Sequence, residues 1–261
     1  MRKTTYGQLT QLSFMPRLFP VNCYLVKEEE GITLIDAALP YSAKGILQAV
    51  QETGKPLVRI VLTHVHDDHI GALDALKAAL PEVPVYVSAR DARLMNGDVS
   101  LDPGEPSTPI RGGVPKKLIT RADLTFTDGD RIGSLLAVAA PGHTPGSFAL
   151  LDTRSGALIA GDAFQTRAGI AVSGTLRPLF PFPALATWHK ETALASARKL
   201  AGLKPSLLAA GHGPVLEQPA DAIAKAIAAA ERALGLKPAT AAAAAAGTDR
   251  EEDGHVAENR D

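Results

Sequence analysis

The chain of 261 residues contains one cysteine, Cys23. No intrachain disulfide can form, so the fold cannot depend on an oxidising compartment. Charge of neither sign dominates, with 27 Lys and Arg against 28 Asp and Glu for a net charge of −1. That balance provides no global drive toward nucleic acid or an anionic membrane, whose capture needs clustered basic residues. Long hydrophobic runs are also lacking. The one extended apolar stretch is alanine-rich, interrupted by charges and too weakly hydrophobic to span a bilayer. Met1 to Gln8 starts basic but has neither the apolar run nor the small-residue cleavage site of a secretory leader. Aromatics make up only 5% of the chain, yet hydrophobic residues reach 46%, enough for a substantial core. These features predict a soluble cytoplasmic protein with no nucleic-acid or membrane partner.

Composition changes near Gly235. Residues 236–261 hold six consecutive alanines, Ala241 to Ala246, and then a polar segment, and are expected to be a low-complexity, disordered tail. From Thr248 onward the net charge is −4, leaving +3 on the preceding 247 residues. Residues 1–235 are expected to form one domain. Strands are predicted at Leu9 to Phe14, Val21 to Val26, Ile32 to Ile35, Leu57 to Thr63 and Val83 to Val87. The second half repeats this grammar at Leu124 to Thr127, Leu135 to Ala140, Ser147 to Asp152, Ala157 to Ala160 and Ser206 to Ala210. Helices are predicted from Ser42 as cap to Thr53, over Ile70 to Leu80, after Ser88, over Ala186 to Ala201, and over Ala220 to Leu234 with Gly235 as stop. The Gly- and Pro-rich stretch Asn96 to Lys117 reads as a long functional or mobile loop. Two strand-then-helix halves fit two sheets with helices outside.

The most informative stretch follows the strand Leu57 to Thr63: His64-Val65-His66-Asp67-Asp68-His69. Three imidazoles and two carboxylates in six residues cannot be apolar core, because burying them unpartnered would cost several kcal/mol per charge. A capped loop would need only one carboxylate. His64 and His66, two apart beyond a strand, can point to one side, with Asp68 and His69 a turn further on. Imidazole nitrogen and carboxylate oxygen suit zinc or another borderline first-row ion. Three more such residues each follow a strand and a glycine: His143 after Gly142, Asp162 after Gly161, and His212 after Gly211. Glycine lets the backbone bend toward a shared centre, and converging strand ends are where layered α/β folds build their sites.

Thr63 to His69, Gly142-His143-Thr144-Pro145-Gly146-Ser147, Gly161-Asp162 and Gly211-His212-Gly213, in that order, resemble the metallo-β-lactamase-fold hydrolase superfamily, over roughly residues 9 to 235. The resemblance implies a four-layer αβ/βα sandwich with a dinuclear metal cleft at one edge of the sheets. By that likeness His64, His66 and His143 hold one metal, Asp68, His69 and His212 the second, and Asp162 bridges them. Two divalent ions are expected, zinc foremost, with iron, manganese or cobalt as the other choices. The implied chemistry is attack by a metal-bridging hydroxide on a small carboxylic ester, lactone or thioester, with Asp68 handling the proton. Asp36, after the third strand, resembles a superfamily aspartate able to orient a ligand histidine, and could equally be a turn residue.

Phe164, Gln165, Phe180, Phe182, Trp188 and His189, with the loop Asn96 to Lys117, could line a substrate pocket. The aromatics could equally cover the sandwich edge or form a homodimer contact, and His189 has the neighbours of an ordinary helix start. Cys23 reads as a small core residue. Asp162 argues against antibiotic hydrolysis, since true metallo-β-lactamases lack a bridging aspartate. Gln165 departs from the tyrosine that homoserine-lactone lactonases carry there. The alternatives left open are a mononuclear-iron persulfide dioxygenase and a phosphodiesterase of the same fold.

Overall fold

The computed structural model describes residues 1–237. The expected tail thus lies outside the described residues but for its first two positions. The first sheet holds β1 (Arg2–Tyr6), β2 (Leu9–Phe14), β3 (Val21–Lys27), β4 (Ile32–Ile35), β5 (Leu57–Val61), β6 (Val85–Ser88) and β7 (Leu124–Phe126), side by side in that order. β1 to β4 form an antiparallel meander, and β4 to β7 run parallel. Parallel neighbours need crossovers. These are α1 (Ala43–Gln51), α2 (Asp67–Ile70) with α3 (Leu73–Ala79), and α4 (Ala89–Met95).

The second sheet is built from β8 (Arg131–Ile132), β9 (Leu135–Ala139), β10 (Phe148–Asp152) and β11 (Ala157–Gly161), extended by two strands from later in the chain. A separate ribbon pairs β12 (Phe164–Gln165) with β13 (Ala171–Val172). After α5 (Phe182–Leu185) and α6 (Lys190–Gly202) come β14 (Leu207–Ala210), parallel to β11, then β15 (Leu216–Glu217) and α7 (Ala220–Ala233). No helix among the described residues is long and apolar enough to cross a membrane.

Three buried clusters define four layers. The first fills the space between the first sheet and its helices, joining Leu12, Leu34 and Ile60 to Ile46, Leu73 and Leu94. The second joins Val138, Ala149 and Leu158 of the second sheet to Ala197 and Leu200 of α6 and Ile223 of α7. The third lies between the sheets, where Tyr24, Ile35 and Val61 face Leu135, Leu150 and Ile159. A strand buried on both faces reads as a continuous apolar run, which is why β4 and β11 are so legible. The αβ/βα sandwich expected above is the observed architecture.

Several boundaries differ. β1 was not expected, because its exposed RKTTY shows no apolar alternation; it is an edge strand turned back at Gly7, whose φ is +58°. The helix expected over Ile70 to Leu80 is two pieces. Gly71 packs so closely on the Ala38 to Pro40 backbone that a Cβ would lie 2.6 Å from the Pro40 nitrogen. The helix expected from Ala186 starts instead at Lys190, because the Trp188 and His189 N–H groups donate to the His143 and Gly142 carbonyls. Ser42 sits at the N-cap position of α1 as expected, but its Oγ accepts the Leu39 N–H instead of an N–H of the helix. The ends of β5 and β9 fall short of Thr63 and Ala140. Gly235, at φ +71°, ends α7 as expected.

Candidate metal centre

The loops leaving β5, β9, β11 and β14 converge on one edge of the sandwich. Three groups of side chains there offer ligand atoms within 4.8 Å of one another: His64, His66 and His143; Asp68, His69 and His212; and His64, His69 and Asp162. All seven residues are buried except Asp68, which is half-buried. Asp162 lies between the first two groups. Its Oδ2 is 3.4 Å from His143 Nε2 and 3.2 Å from His212 Nε2, and its Oδ1 is 3.4 Å from His69 Nε2.

Hydrogen bonding sets which ring nitrogen faces inward. His66 Nε2 lies 3.0 Å from the Arg111 carbonyl. A carbonyl only accepts, so the proton is on Nε2 and the Nδ1 lone pair points inward. Thr187 Oγ1 donates to the Pro183 carbonyl and therefore accepts from Ser173, whose oxygen in turn accepts from His143 Nδ1 at 3.0 Å. That leaves His143 Nε2 as a lone pair. Thr63 Oγ1 donates to Asp36 Oδ2 and so accepts from His64 Nδ1 at 3.1 Å, turning His64 Nε2 inward. His66 Nδ1 and His143 Nε2 thus meet at 3.0 Å as two acceptors. Among the described residues His64 Nε2 is buried without any hydrogen-bond partner. His64 Nε2, His66 Nδ1 and His143 Nε2 are thus converging acceptors with no donor between them, which fits a cation and opposes a purely structural polar core.

The electrostatics divide the site. Burial, with the neighbouring histidines, pushes the His64 ring well below its usual pKa; burial also lowers His66 and brings His143 down to about 3. These three rings are neutral at pH 7, as ligands must be. The second group is ionised. Burial alone would push His69 and His212 down, but Asp162 with Asp36 holds His69 well above its ordinary value, and Asp162 with Asp68 holds His212 at about 10. Burial would raise Asp68 and Asp162, but the two rings hold both carboxyls below the usual range.

Asp36 is the orienting residue for His69. It sits in the left-handed region at φ +61°, and its Oδ2 accepts His69 Nδ1–H at 2.8 Å while Oδ1 accepts the Thr63 N–H. His212 Nδ1 donates to the Pro20 carbonyl at 2.7 Å. Its loop is held by β2 and β3: Tyr24 and Asn22 donate to the Ala210 carbonyl, and Gln11 and Asn22 to that of Gly213. Sequence reasoning missed this clamp, for which polar residues inside apolar strands were the available signal.

The expected pocket wall is only partly assembled. Phe180 and Phe182 flank the site with Phe19, which was not anticipated; the Phe180 and Phe19 rings lie 5.5 and 5.4 Å from that of His212. Phe164 faces the other way, into the core beneath α6 and α7. Its neighbour Gln165 therefore points to the opposite face, buried and with both amide atoms unpartnered among the described residues. Trp188 is a tether, its Nε1–H donating to the Thr108 carbonyl, and His189 is the N-cap of α6, accepting the Thr192 N–H.

The long loop, ordered by pairs such as Arg90 with Glu105 and Arg93 with Asp98, runs over the centre as a strap. Its Gly113 carbonyl accepts the Asp67 N–H. Gly112, at φ +92°, leaves no room for a side chain: a Cβ would lie 2.4 Å from the His66 ring. Gly112→Ala is expected to lift the strap and release His66 Nε2, lowering turnover by about 10- to 100-fold. Gly104→Ala, at the similar φ of +90° but in open space, controls for backbone strain and is expected to stay near wild type. Equal kcat/KM values for the two variants would refute the contact.

Comparison with known proteins agrees with this geometry. The chain is 57% identical over 227 residues to the uncharacterized protein YobT of Bacillus subtilis, covering 87% of this chain and 97% of that one. It is 29% identical over 163 residues to a hydroxyacylglutathione hydrolase of Gloeobacter violaceus, covering 60% of this chain and 55% of the relative. A solved structure of TTHA1623 in a di-iron-bound form superposes with a TM-score of 0.59 at 27% identity, covering 81% of this chain and 96% of that one. The family model described as the metallo-beta-lactamase superfamily matches residues 16–212, and it takes in all seven converging side chains: the chain belongs to the metallo-beta-lactamase superfamily.

Proposed function

We propose that the chain is a dinuclear metal-dependent hydrolase of a small carboxylic ester, lactone or thioester. The observation that carries this reading is the convergence of the two donor sets on Asp162, one set neutral and turned lone pair to lone pair, the other ionised. His64, His66 and His143 would hold one ion, Asp68, His69 and His212 the other, and Asp162 would contact both. A metal pair in such a site supplies hydroxide at neutral pH and polarises a carbonyl oxygen. Zinc suits the donors, and iron suits them as well, as the di-iron form of TTHA1623 illustrates. Asp68, the one half-exposed member, can pass a proton between the cleft and water. Phe19, Phe180 and Phe182 give the apolar arm of a substrate something to lie against beside His212. The hydroxyacylglutathione hydrolase relative favours a thioester within this class. A cytoplasmic setting accords with Cys23, which is free and buried.

The test combines metal analysis of protein purified without added metal with a panel of lactones, thioesters, aryl esters and phosphodiesters. About two ions per chain are expected, with carboxylic-ester turnover that disappears in His66→Ala. One iron per chain with oxygen uptake on a persulfide, or turnover of phosphodiesters alone, would overturn the proposal.

A further inference from the structure

The loops that carry the first histidine set come from different sheets, and a carboxylate on a third element ties them together. Asp91 lies in the first turns of α4, fully buried. Its Oδ2 accepts the Val65 N–H at 3.2 Å, between His64 and His66, and the Thr144 hydroxyl at 2.8 Å, next to His143. Its Oδ1 accepts the Gly146 N–H at 2.9 Å. Ser88, the cap of the same helix, adds a bond to the Gly146 carbonyl and accepts the Asp91 N–H. Gly146 permits this approach, because a Cβ there would lie 2.5 Å from Asp91 Oδ1.

We propose that Asp91 is a positioning residue that locks His64, His66 and His143 into one ligand geometry by gripping both of their loops; this rests on the metal reading above. All three of its partners are donors, so only a carboxylate can satisfy them together. An asparagine must turn its NH₂ toward at least one of them. Burial pushes the Asp91 carboxyl up to about 6 despite the bonds from Thr144, Gly146 and Val65. The fold therefore keeps a desolvated acceptor where an apolar residue would pack at lower cost. The second set has its own supports, Asp36 on His69 and the Pro20 carbonyl on His212, so the effect of Asp91 is confined to the first set.

The test uses the full chain with zinc as the probe, titrated against a chromophoric chelator. In Asp91→Asn the affinity for one of two ions is expected to fall tenfold or more, with the other unchanged. Thr144→Val removes one donor and leaves the carboxylate, and is expected to weaken the same ion by a smaller factor. Asp123→Asn is the control for a merely structural loss. Asp123 accepts the Val85 N–H at 2.8 Å away from the ligand loops, and its loss is expected to lower Tm while leaving both affinities intact. The inference is overturned if Asp91→Asn keeps both affinities, or loses both together. If it does not fold, unchanged affinities in Thr144→Val overturn the inference equally. An unaltered chain that binds fewer than two ions would refute the metal reading and this inference with it, and that failure is recognised because it appears before any substitution.

Discussion

In the proposed dinuclear centre, Asp162→Asn is expected to lose both ions and to lower kcat/KM by about 10³-fold or more, roughly 4 kcal/mol of transition-state stabilisation. Asp162 reaches both donor sets, from His143 on one side to His69 and His212 on the other. Asparagine keeps the shape, so the loss isolates the charge. Shape matters here: a Cβ on Gly211 would lie 2.2 Å from Asp162 Oδ1, so the pocket around the carboxylate is closed. The metal-free variant is also expected to be less stable at pH 7. Asp162 is the largest charge holding the His69 and His212 rings protonated. Removing one partner of a buried ion cluster typically costs about 3–5 kcal/mol. Urea denaturation of chelator-treated protein, metal analysis and turnover measure the three effects separately. A variant that retained two ions and full activity would remove Asp162 from the centre.

Much of this site was legible because the chemistry lies where strands end. A buried strand announces itself as an apolar run, a glycine marks the bend, and a histidine or aspartate after it has few structural reasons to be there. His143, Asp162 and His212 were found that way, and the cluster His64 to His69 stood out because no core could bury it unpartnered. What holds these side chains in place was much less visible. Ser173 and Thr187, which set the His143 tautomer, and the Arg111 carbonyl, which sets that of His66, are ordinary loop residues in sequence. Asp91 reads as a helix residue after a serine cap, and its three partners are 26 to 55 positions away. Parity explains the misreading of Phe164: both it and Gln165 follow Asp162, but only the register of β12 with β13 tells which faces the helices. Helix breaks were lost because tertiary bonds, not local composition, set them. The stretch from Ala186 has helical composition, and tertiary bonds to Gly142 and His143 override it before Lys190.

The metal-free protein is expected to take up its second ion with release of protons, and with an affinity that climbs as pH rises. At pH 7 the first set needs no deprotonation, since burial keeps His64, His66 and His143 neutral. The second set does. The His212 ring, at about 10, is protonated at pH 7, and so is His69, held well above its ordinary value by Asp162 and Asp36. A metal must displace those protons. Below the pKa, each proton released makes apparent affinity rise about tenfold per pH unit, about a hundredfold if both rings give up theirs. Between pH 6 and 9 the first ion should therefore bind with nearly constant affinity while the second tightens steeply. Metal-free stability moves the other way. A histidine whose folded pKa is raised contributes stability that is complete below its unfolded value near 6.5 and is lost as pH climbs through the folded one. The His212 contribution thus declines toward pH 10, while the lowered Asp68 and Asp162 carboxyls lose theirs only in acid. Calorimetric titration of the chelated protein in buffers of different ionisation heat counts the protons, and chelator competition across pH 6 to 9 measures the slopes. Two ions with equal, flat pH profiles and no buffer-dependent heat would contradict the division of the centre into a neutral and an ionised half.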